Sequence, residues 1–342
     1  MLASVIARCA SAALIAAFTL AGCGGSQSIG TPATTTQMGS TKHRAFSSGQ
    51  ALLFSISGES GTIADYPSGT IVDTFWIGSY GVAGCTDSQG NVYVGGSDDT
   101  NNEPFIAEYP YGATSPSEYV LITPQSQYAV GAVWGCSVDP TTGNIAAVVN
   151  YDNAKNDSVA IFAPQLQGTP QIYSNFSMGM LWSASYDGSG NLFLLGGASN
   201  IQDLLFEELA KDAYAFQPLS LDLGRHLPKR NPGYNYWMTQ WDGQYVTVDG
   251  PYSPKPNGKA KTWKGAIYRL NISGSAATVK QTTLLQKVRR YDVRSRYCIV
   301  PVLGRVIISG YHPESFDYPS GKNLGKLPIS ASSAVIALPP SR

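Results

Sequence analysis

Five aromatic residues recur at one point in the rhythm of this chain. Tyr80, Trp134, Trp182, Trp237 and Tyr297 stand 10, 9, 8, 6 and 7 residues before glycines 90, 143, 190, 243 and 304. Flat rings with polar edges suit sugars, peptides and aromatic ligands, and they equally suit packing between neighbouring elements. Oxygen ligands gather in Ser97-Asp98-Asp99-Thr100-Asn101-Asn102-Glu103. Asp98, Asp99 and Glu103 are the one candidate set for calcium, but they lack the alternate Asp/Asn positions, central Gly and late Glu of an EF-hand loop. Asp152, Asn153, Asn156 and Asp157 form a second polar group. Positive charge collects later, at Arg225, Lys229 and Arg230, at Lys255, Lys259, Lys261 and Lys264, and at Lys287, Arg289, Arg290, Arg294 and Arg296.

Signals for catalysis are poor. The three histidines, His43, His226 and His312, form no pair at metal-binding spacing, and no Cys-x-x-Cys occurs. The sequence has no Gly-x-Ser-x-Gly elbow, phosphate loop or dinucleotide fingerprint. No cofactor is expected. Four aspartates, Asp87, Asp139, Asp187 and Asp242, recur just before the turn glycines, which makes them turn formers first.

The elements that must position these residues are short strands. Charged residues make up only 13% of the chain, and Gly, Tyr, Ser and Thr are abundant. Such a composition suits many strands and turns rather than long exposed helices. One pattern repeats: a strand, an Asp/Gly turn, a polar residue and a second apolar strand. It reads Cys85-Thr86-Asp87-Ser88-Gln89-Gly90-Asn91-Val92-Tyr93-Val94, then Cys136 to Ile145, then Ser185 to Leu194, with weaker copies at Trp241–Val246 and Leu303–Ile308. Gly49 opens the series, and the spacings between turn glycines are 41, 53, 47, 53 and 61.

Two further strand-like runs follow each pair. They include Phe105–Tyr109 and Tyr119–Ile122, Val159–Phe162 and Gln171–Tyr173, and Ala266–Leu270 and Thr278–Leu285. Ile201–Ala213 is the nearest helix candidate, but Leu204–Leu209 falls at the register of a third strand, and a strand is expected there. Four strands per repeat of this length predict an all-β, six-bladed β-propeller. The N-terminal blade lacks its innermost strand, and Ser333–Leu338 is a spare one that would fill the vacancy and close the ring. Tyr66-Pro67-Ser68-Gly69 and Tyr318-Pro319-Ser320-Gly321 mark a shared register in two blades. Seven blades or a two-sheet sandwich are the alternative arrangements.

The Asp-x-x-Gly-Asn-hydrophobic-Tyr-Val rhythm resembles propellers of the NHL type and of the gluconolactonase/regucalcin-like group, over residues 48–338. The resemblance implies a propeller, in families that include scaffolds, ligand binders and metal-dependent hydrolases.

The N-terminus has a separate reading. Arg8 precedes an apolar run from Ala10 to Leu20 that is too short to span a membrane comfortably. Leu20-Ala21-Gly22-Cys23 follows and resembles the lipobox of bacterial lipoproteins. The resemblance implies a signal peptide over 1–22, cleavage before Cys23 and a lipid on that cysteine. Residues 23–47, rich in Ser, Thr, Gly and Gln, would be a flexible tether carrying the anchor. Residues 48–342 would form the propeller, exported and facing the periplasm or cell exterior. Cys85, Cys136 and Cys298 remain in it, and one disulfide is permitted but not assigned.

The net charge of zero hides a split. Lys+Arg number 5 against 18 Asp+Glu before Gly224, and 18 against 5 from there on, so the two parts carry −13 and +13. Such polarity speaks of fields and partners. The reading is a lipid-anchored, non-catalytic binding or scaffold module for a glycan, peptide or protein partner. The aromatics named above would collar a channel mouth, and Asp98, Asp99, Glu103, Arg225, Lys229, Arg230, Arg289 and Arg290 would form a charged face. Besides the membrane, no nucleic-acid partner is expected. The alternative is a metal-dependent hydrolase or lyase of the gluconolactonase-like type.

Overall fold

A computed structural model describes residues 49–122, 130–151, 157–174, 176–197, 204–225, 237–255, 264–286, 296–310 and 313–340. Cys23 and the N-terminal segments lie outside the described residues, as do His43, His226, His312, Lys229, Arg230, Arg289 and Arg290.

The chain forms a six-bladed β-propeller with four strands to a blade. Blade II uses the latter half of Ile71–Thr86, then Val92–Ser97, Pro104–Tyr109 and Glu118–Leu121. Blade III is Gly131–Val138, Ile145–Tyr151, Ser158–Ala163 and Gln167–Tyr173. Blade IV is Met180–Tyr186, Leu192–Gly197, Leu204–Leu209 and Gln217–Asp222, so Leu204–Leu209, the core of the segment with helical composition, is a strand. Blade V is Thr239–Trp241, Val246–Tyr252, Lys264–Ser273 and Ala276–Leu284. Blade VI is Tyr297–Val300, Arg305–Ile308, Glu314–Asp317 and Asn323–Lys326.

Blade I joins the two ends of the propeller. Ser333–Ala337 is its inner strand and pairs antiparallel with Leu52–Ile56, setting Leu53 opposite Ile336 and Phe54 opposite Val335. The strand Leu52–Asp65 bends back at Gly58, and Ser60–Ala64 then pairs with the first half of Ile71–Thr86. The Tyr66 amide donates to the Ala51 carbonyl at 3.0 Å and holds the two limbs together. The outer strands of blades IV and V also pair, in parallel, through Ser220–Asp222 and Ala276–Thr278.

The six turn glycines, Gly49, Gly90, Gly143, Gly190, Gly243 and Gly304, all have positive φ, between 59° and 107°. This left-handed backbone is why glycine recurs there. The two Tyr-Pro-Ser-Gly segments build the same turn between third and outer strands, with Gly69 N donating to Asp65 O and Gly321 N to Asp317 O, each at 2.8 Å.

Among the described residues, six apolar clusters lie between the blades, one to each neighbouring pair. Phe75 meets Tyr109 between I and II, and Tyr93 lies with Ala147 between II and III. Val148 lies with Leu194 between III and IV, and Trp182 with Tyr268 between IV and V. Ile267 lies with Phe316 between V and VI, and Ile307 with Leu53 between VI and I. Alternation along each strand sends successive side chains to the two neighbouring blades, so each blade is apolar on both faces. At roughly 1.5–3 kcal/mol per large buried side chain, these interfaces are the main favourable contribution to folding.

Candidate functional site at the channel mouth

The inner strands run the same way around a central channel, starting at the end called upper here and finishing at the Asp/Gly turns below. Halfway along, residues from all six blades, among them Gly84, Cys136, Ala184, Gln240, Tyr297 and Ala334, surround a cavity of about 20 Å³. That is room for roughly one water molecule. Small side chains bring the strands close, so the channel narrows to a waist at this level.

The upper end is closed by a contact across the ring. Arg296 precedes the inner strand of blade VI, and Trp134 lies on the inner strand of blade III, directly opposite. The Arg296 guanidinium lies 5.8 Å from the centroid of the Trp134 ring and donates to the Trp134 carbonyl. Trp134 sits at a β-bulge, where the register shifts between Val133 and Gly135. A bulge re-aims its side chain, and here the indole comes within reach of the Arg296 guanidinium. Arg296 is itself fixed, with its amide accepted by the Ser309 hydroxyl at 3.0 Å, and it is 8% exposed.

Of the other aromatics, the structure gathers few at this mouth. Tyr80 is exposed at the start of the blade II inner strand. Trp182, Trp237 and Tyr297 are buried between blades, so the five do not form one open collar. The reason lies in facing glycines. A Cβ at Gly197 would stand 2.7 Å from the Trp182 ring, and one at Gly250 would stand 1.9 Å from the Trp237 ring. Each indole lies flat in the space that a missing side chain leaves on the second strand. The Tyr297 hydroxyl is within 2.9 Å of Thr247 Oγ1, and burial holds it well above the usual phenol range.

Buried acids fasten the upper rim. Asp157 accepts from the amides of Leu181 at 2.9 Å and Tyr151 at 3.0 Å, and so ties blade III to blade IV. Burial pushes its carboxyl up to about 6 in spite of these bonds. Asp249 accepts from Met238 N at 2.6 Å, and burial raises it well above the usual carboxylate range. Asp98 goes the other way. Burial opposes its charge, but the Tyr119 hydroxyl and the Asn101 and Thr100 amides outweigh that and hold it below the usual range. Ser79 donates as well, so both Asp98 oxygens already accept protein hydrogen bonds. Asp99 is exposed and Glu103 half-buried, and among the described residues no three His, Cys, Asp or Glu side chains are grouped to hold a metal. Arg225 is exposed beyond the outer strand of blade IV.

The repeat aspartates lie at the lower end, where each serves its own turn and Asp242 also reaches other strands. Asp87 accepts from the Gln89 and Asn91 amides at 2.9 Å, and Asp187 from Ser189 N at 2.8 Å and Asn191 N at 3.0 Å. Asp139 accepts from Thr141 N at 2.8 Å and Thr142 Oγ1 at 2.6 Å. Asp242 is paired with Arg269 Nε at 2.5 Å and with the Tyr318 hydroxyl at 2.6 Å. Among the described residues no carboxylate lines the narrow cavity, so this donor set does not fit a metal held in the channel by several blades. Below the cavity a funnel of about 250 Å³ is bordered by Cys85, Cys136 and Cys298. A disulfide joins Cys85 to Cys136, across the inner strands of blades II and III, and burial pushes the free Cys298 thiol up to about 11.

Fold and mouth together define a propeller whose channel is stoppered at its upper end. TolB from Acinetobacter baumannii, a β-propeller, superposes with a TM-score of 0.56 at 12% identity, over 84% of this chain and 66% of TolB. A functionally unknown protein from Desulfotomaculum acetoxidans DSM 771 gives 0.48 at 10% identity, over 84% of this chain and 98% of its own. At 12% identity the likeness to TolB speaks for the fold alone. No protein-family model matches the sequence, and no curated protein is detectably similar to it.

Proposed function

We propose that this chain is a lipid-anchored, exported β-propeller that acts as a non-catalytic binding module for a peptide, protein or glycan partner. The observation that carries the reading is the narrow waist of the channel under its stoppered upper end. With room for about one water at the waist of the channel and the Arg296–Trp134 contact above it, recognition falls to the surfaces that stay open, the lower funnel and the loops of the blades. Loops on a rigid scaffold are the usual place for such work. The Asp-x-x-Gly-Asn turn rhythm supports placing the protein beside the NHL-type and gluconolactonase-like propellers. The Leu20-Ala21-Gly22-Cys23 segment supports the anchor, and the Cys85–Cys136 disulfide suits an oxidising compartment outside the cytoplasm.

Two measurements test the reading. Cell fractionation should find the protein with membranes and Cys23→Ala in the soluble fraction; a Cys23→Ala protein that stays on the membrane removes the lipid anchor. Peptide and glycan arrays probed with the full-length protein should show a ligand class. Arrays that stay blank with folded protein, or turnover of an array ligand, would end the non-catalytic binding role.

A further inference from the structure

Between blades III and IV, toward the lower end, the seam opens into a groove of about 360 Å³. Ligand pockets usually measure about 300–1,000 Å³. Strand register places its walls. On blade III, Ile161 pairs with Gln171 and Ala146, and Val159 pairs with Tyr173. Residues two apart share a face, so Ile161, Gln171 and Tyr173 are all on the side that packs against blade IV. On blade IV, Tyr186 pairs with Leu192 and Leu192 with Leu209, and these three face blade III. The turn at 210–214 forms the lower lip, and Asn144 borders the groove on the other side.

One group in the groove is out of place for a purely structural seam. Tyr186 is 6% exposed, and its amide donates to Ser137 Oγ at 2.9 Å, but its hydroxyl has no hydrogen-bond partner among the described residues. Buried polar groups are nearly always paired, so this phenol calls for a partner from outside the chain. Burial, with Asp139 and Tyr173 nearby, holds it above the usual phenol range, so it keeps its proton to donate. The side-chain amides of Asn144 and Gln171 are likewise unpartnered among the described residues. The surroundings are fixed. Tyr173 meets Phe216 of blade IV edge-on at 5.5 Å, and the lip is held by Lys211 N donating to Asn191 Oδ1 and Ala213 N to Ala210 O, each at 2.9 Å. Little ordering is therefore left for a ligand to impose. Tyr214 stands out from this lip, 91% exposed.

The chemistry of these groups selects a ligand. Lys211 and Asp212 offset each other on the lip, and Asp139 already accepts from Thr141 and Thr142, so an ionic ligand finds no net charge to pair with. A phenol and two amides offer uncharged donors and acceptors together. They come from separate strands and a turn, and not from one row as the main chain of a bound peptide would need. Sugar hydroxyls donate and accept in several directions around a ring, and the apolar face of the ring suits an exposed aromatic such as Tyr214.

We propose that the groove between blades III and IV binds a neutral saccharide, with Tyr186 donating from its floor and Tyr214 stacking at its lip. The proposal rests on the reading of the chain as a binding module and names one site and one ligand chemistry. The probes are cellohexaose, maltohexaose, mannohexaose and N-acetylchitohexaose, titrated calorimetrically into full-length protein. At least one should bind, at low and high salt alike. Tyr186→Phe removes only the hydroxyl and should weaken binding roughly fivefold, and Tyr214→Ala roughly threefold. Without ligand, Tyr186→Phe should have the parent's urea midpoint or a higher one, because the lost hydroxyl had no partner in the fold.

Failure of all four oligosaccharides to bind overturns the proposal, as does binding that neither variant alters. A lowered midpoint in ligand-free Tyr186→Phe overturns it too, since the hydroxyl would then serve the fold. An array peptide whose binding both variants weaken would make the groove a peptide site instead. If the arrays yield a ligand that binds both variants as it binds the parent, the groove proposal fails and the binding-module reading stands. If arrays and oligosaccharides are all blank, both fail.

Discussion

Arg296 and Trp134, 162 residues apart in sequence, meet across the axis of the ring, cation over indole, at 5.8 Å. The contact joins opposite blades rather than neighbours, so it closes the mouth without supporting any single interblade core. Arg296→Ala should therefore leave the thermal midpoint within a few degrees of the parent. It should make the Trp134 emission more accessible to acrylamide, read against Trp134→Phe to isolate that indole. No change in quenching would mean that the stopper does not form in solution.

The ring is sealed by strand pairing between the two ends of the propeller, which makes a firm demand on the C-terminal strand. Ala334, Val335, Ile336 and Ala337 are buried, and they cover Leu53 and Phe54, which are fully buried. Ending the chain at Leu327 would uncover several core side chains at about 2–5 kcal/mol each, as much as a whole domain's stability. Such a truncation should lose its cooperative urea transition. A synthetic peptide covering Ile329–Pro339 should restore the transition at high concentration. A truncated chain that still melts cooperatively on its own would contradict the closure.

The closure was legible in the sequence because strands are local. The Asp/Gly turns, the alternating apolar runs and one strand too many at the C-terminus were enough to count blades and to see where the extra strand belonged. The site was less legible. The aromatic rhythm picked out Trp182 and Trp237, but burial under them depends on Gly197 and Gly250, which stand on other strands. Arg296 read as one member of a basic run, since nothing in local spacing reports a contact made across the axis. Trp76 carried no motif. It alternates with buried Phe75 and Ile77 like any strand residue.

The disulfide between Cys85 and Cys136 links neighbouring inner strands separated by 51 residues in sequence. Closing a loop of that size in the unfolded chain stabilises the fold by about 4 kcal/mol on the chain-entropy account. Cys85→Ala/Cys136→Ala should lower the urea midpoint accordingly, and dithiothreitol should do the same to the parent but not to the variant. Cys298→Ala should leave the midpoint sensitive to reductant. If the double variant were as stable as the parent, the bridge would not form in the folded protein.

Asp157 sets a pH dependence whose sign follows from its surroundings. Burial raises its carboxyl to about 6, whereas in an unfolded chain an aspartate titrates near pH 3.9. Between those values the unfolded chain has given up the proton and the folded chain keeps it, so stability falls as pH rises from about 4 to 6. Above pH 6 the folded carboxylate is charged in a site that disfavours it, at a cost of about 2–3 kcal/mol relative to pH 4. The amide that Asp157→Asn introduces cannot titrate, although its single side-chain oxygen can serve only one of the Leu181 and Tyr151 amides well. Urea melts of the parent and of Asp157→Asn at pH 4 and pH 7 should therefore differ in slope: the parent should lose more stability over that interval, by about that amount. Parallel profiles would show that the carboxyl titrates as it would in water, and that the clasp between blades III and IV is open to solvent.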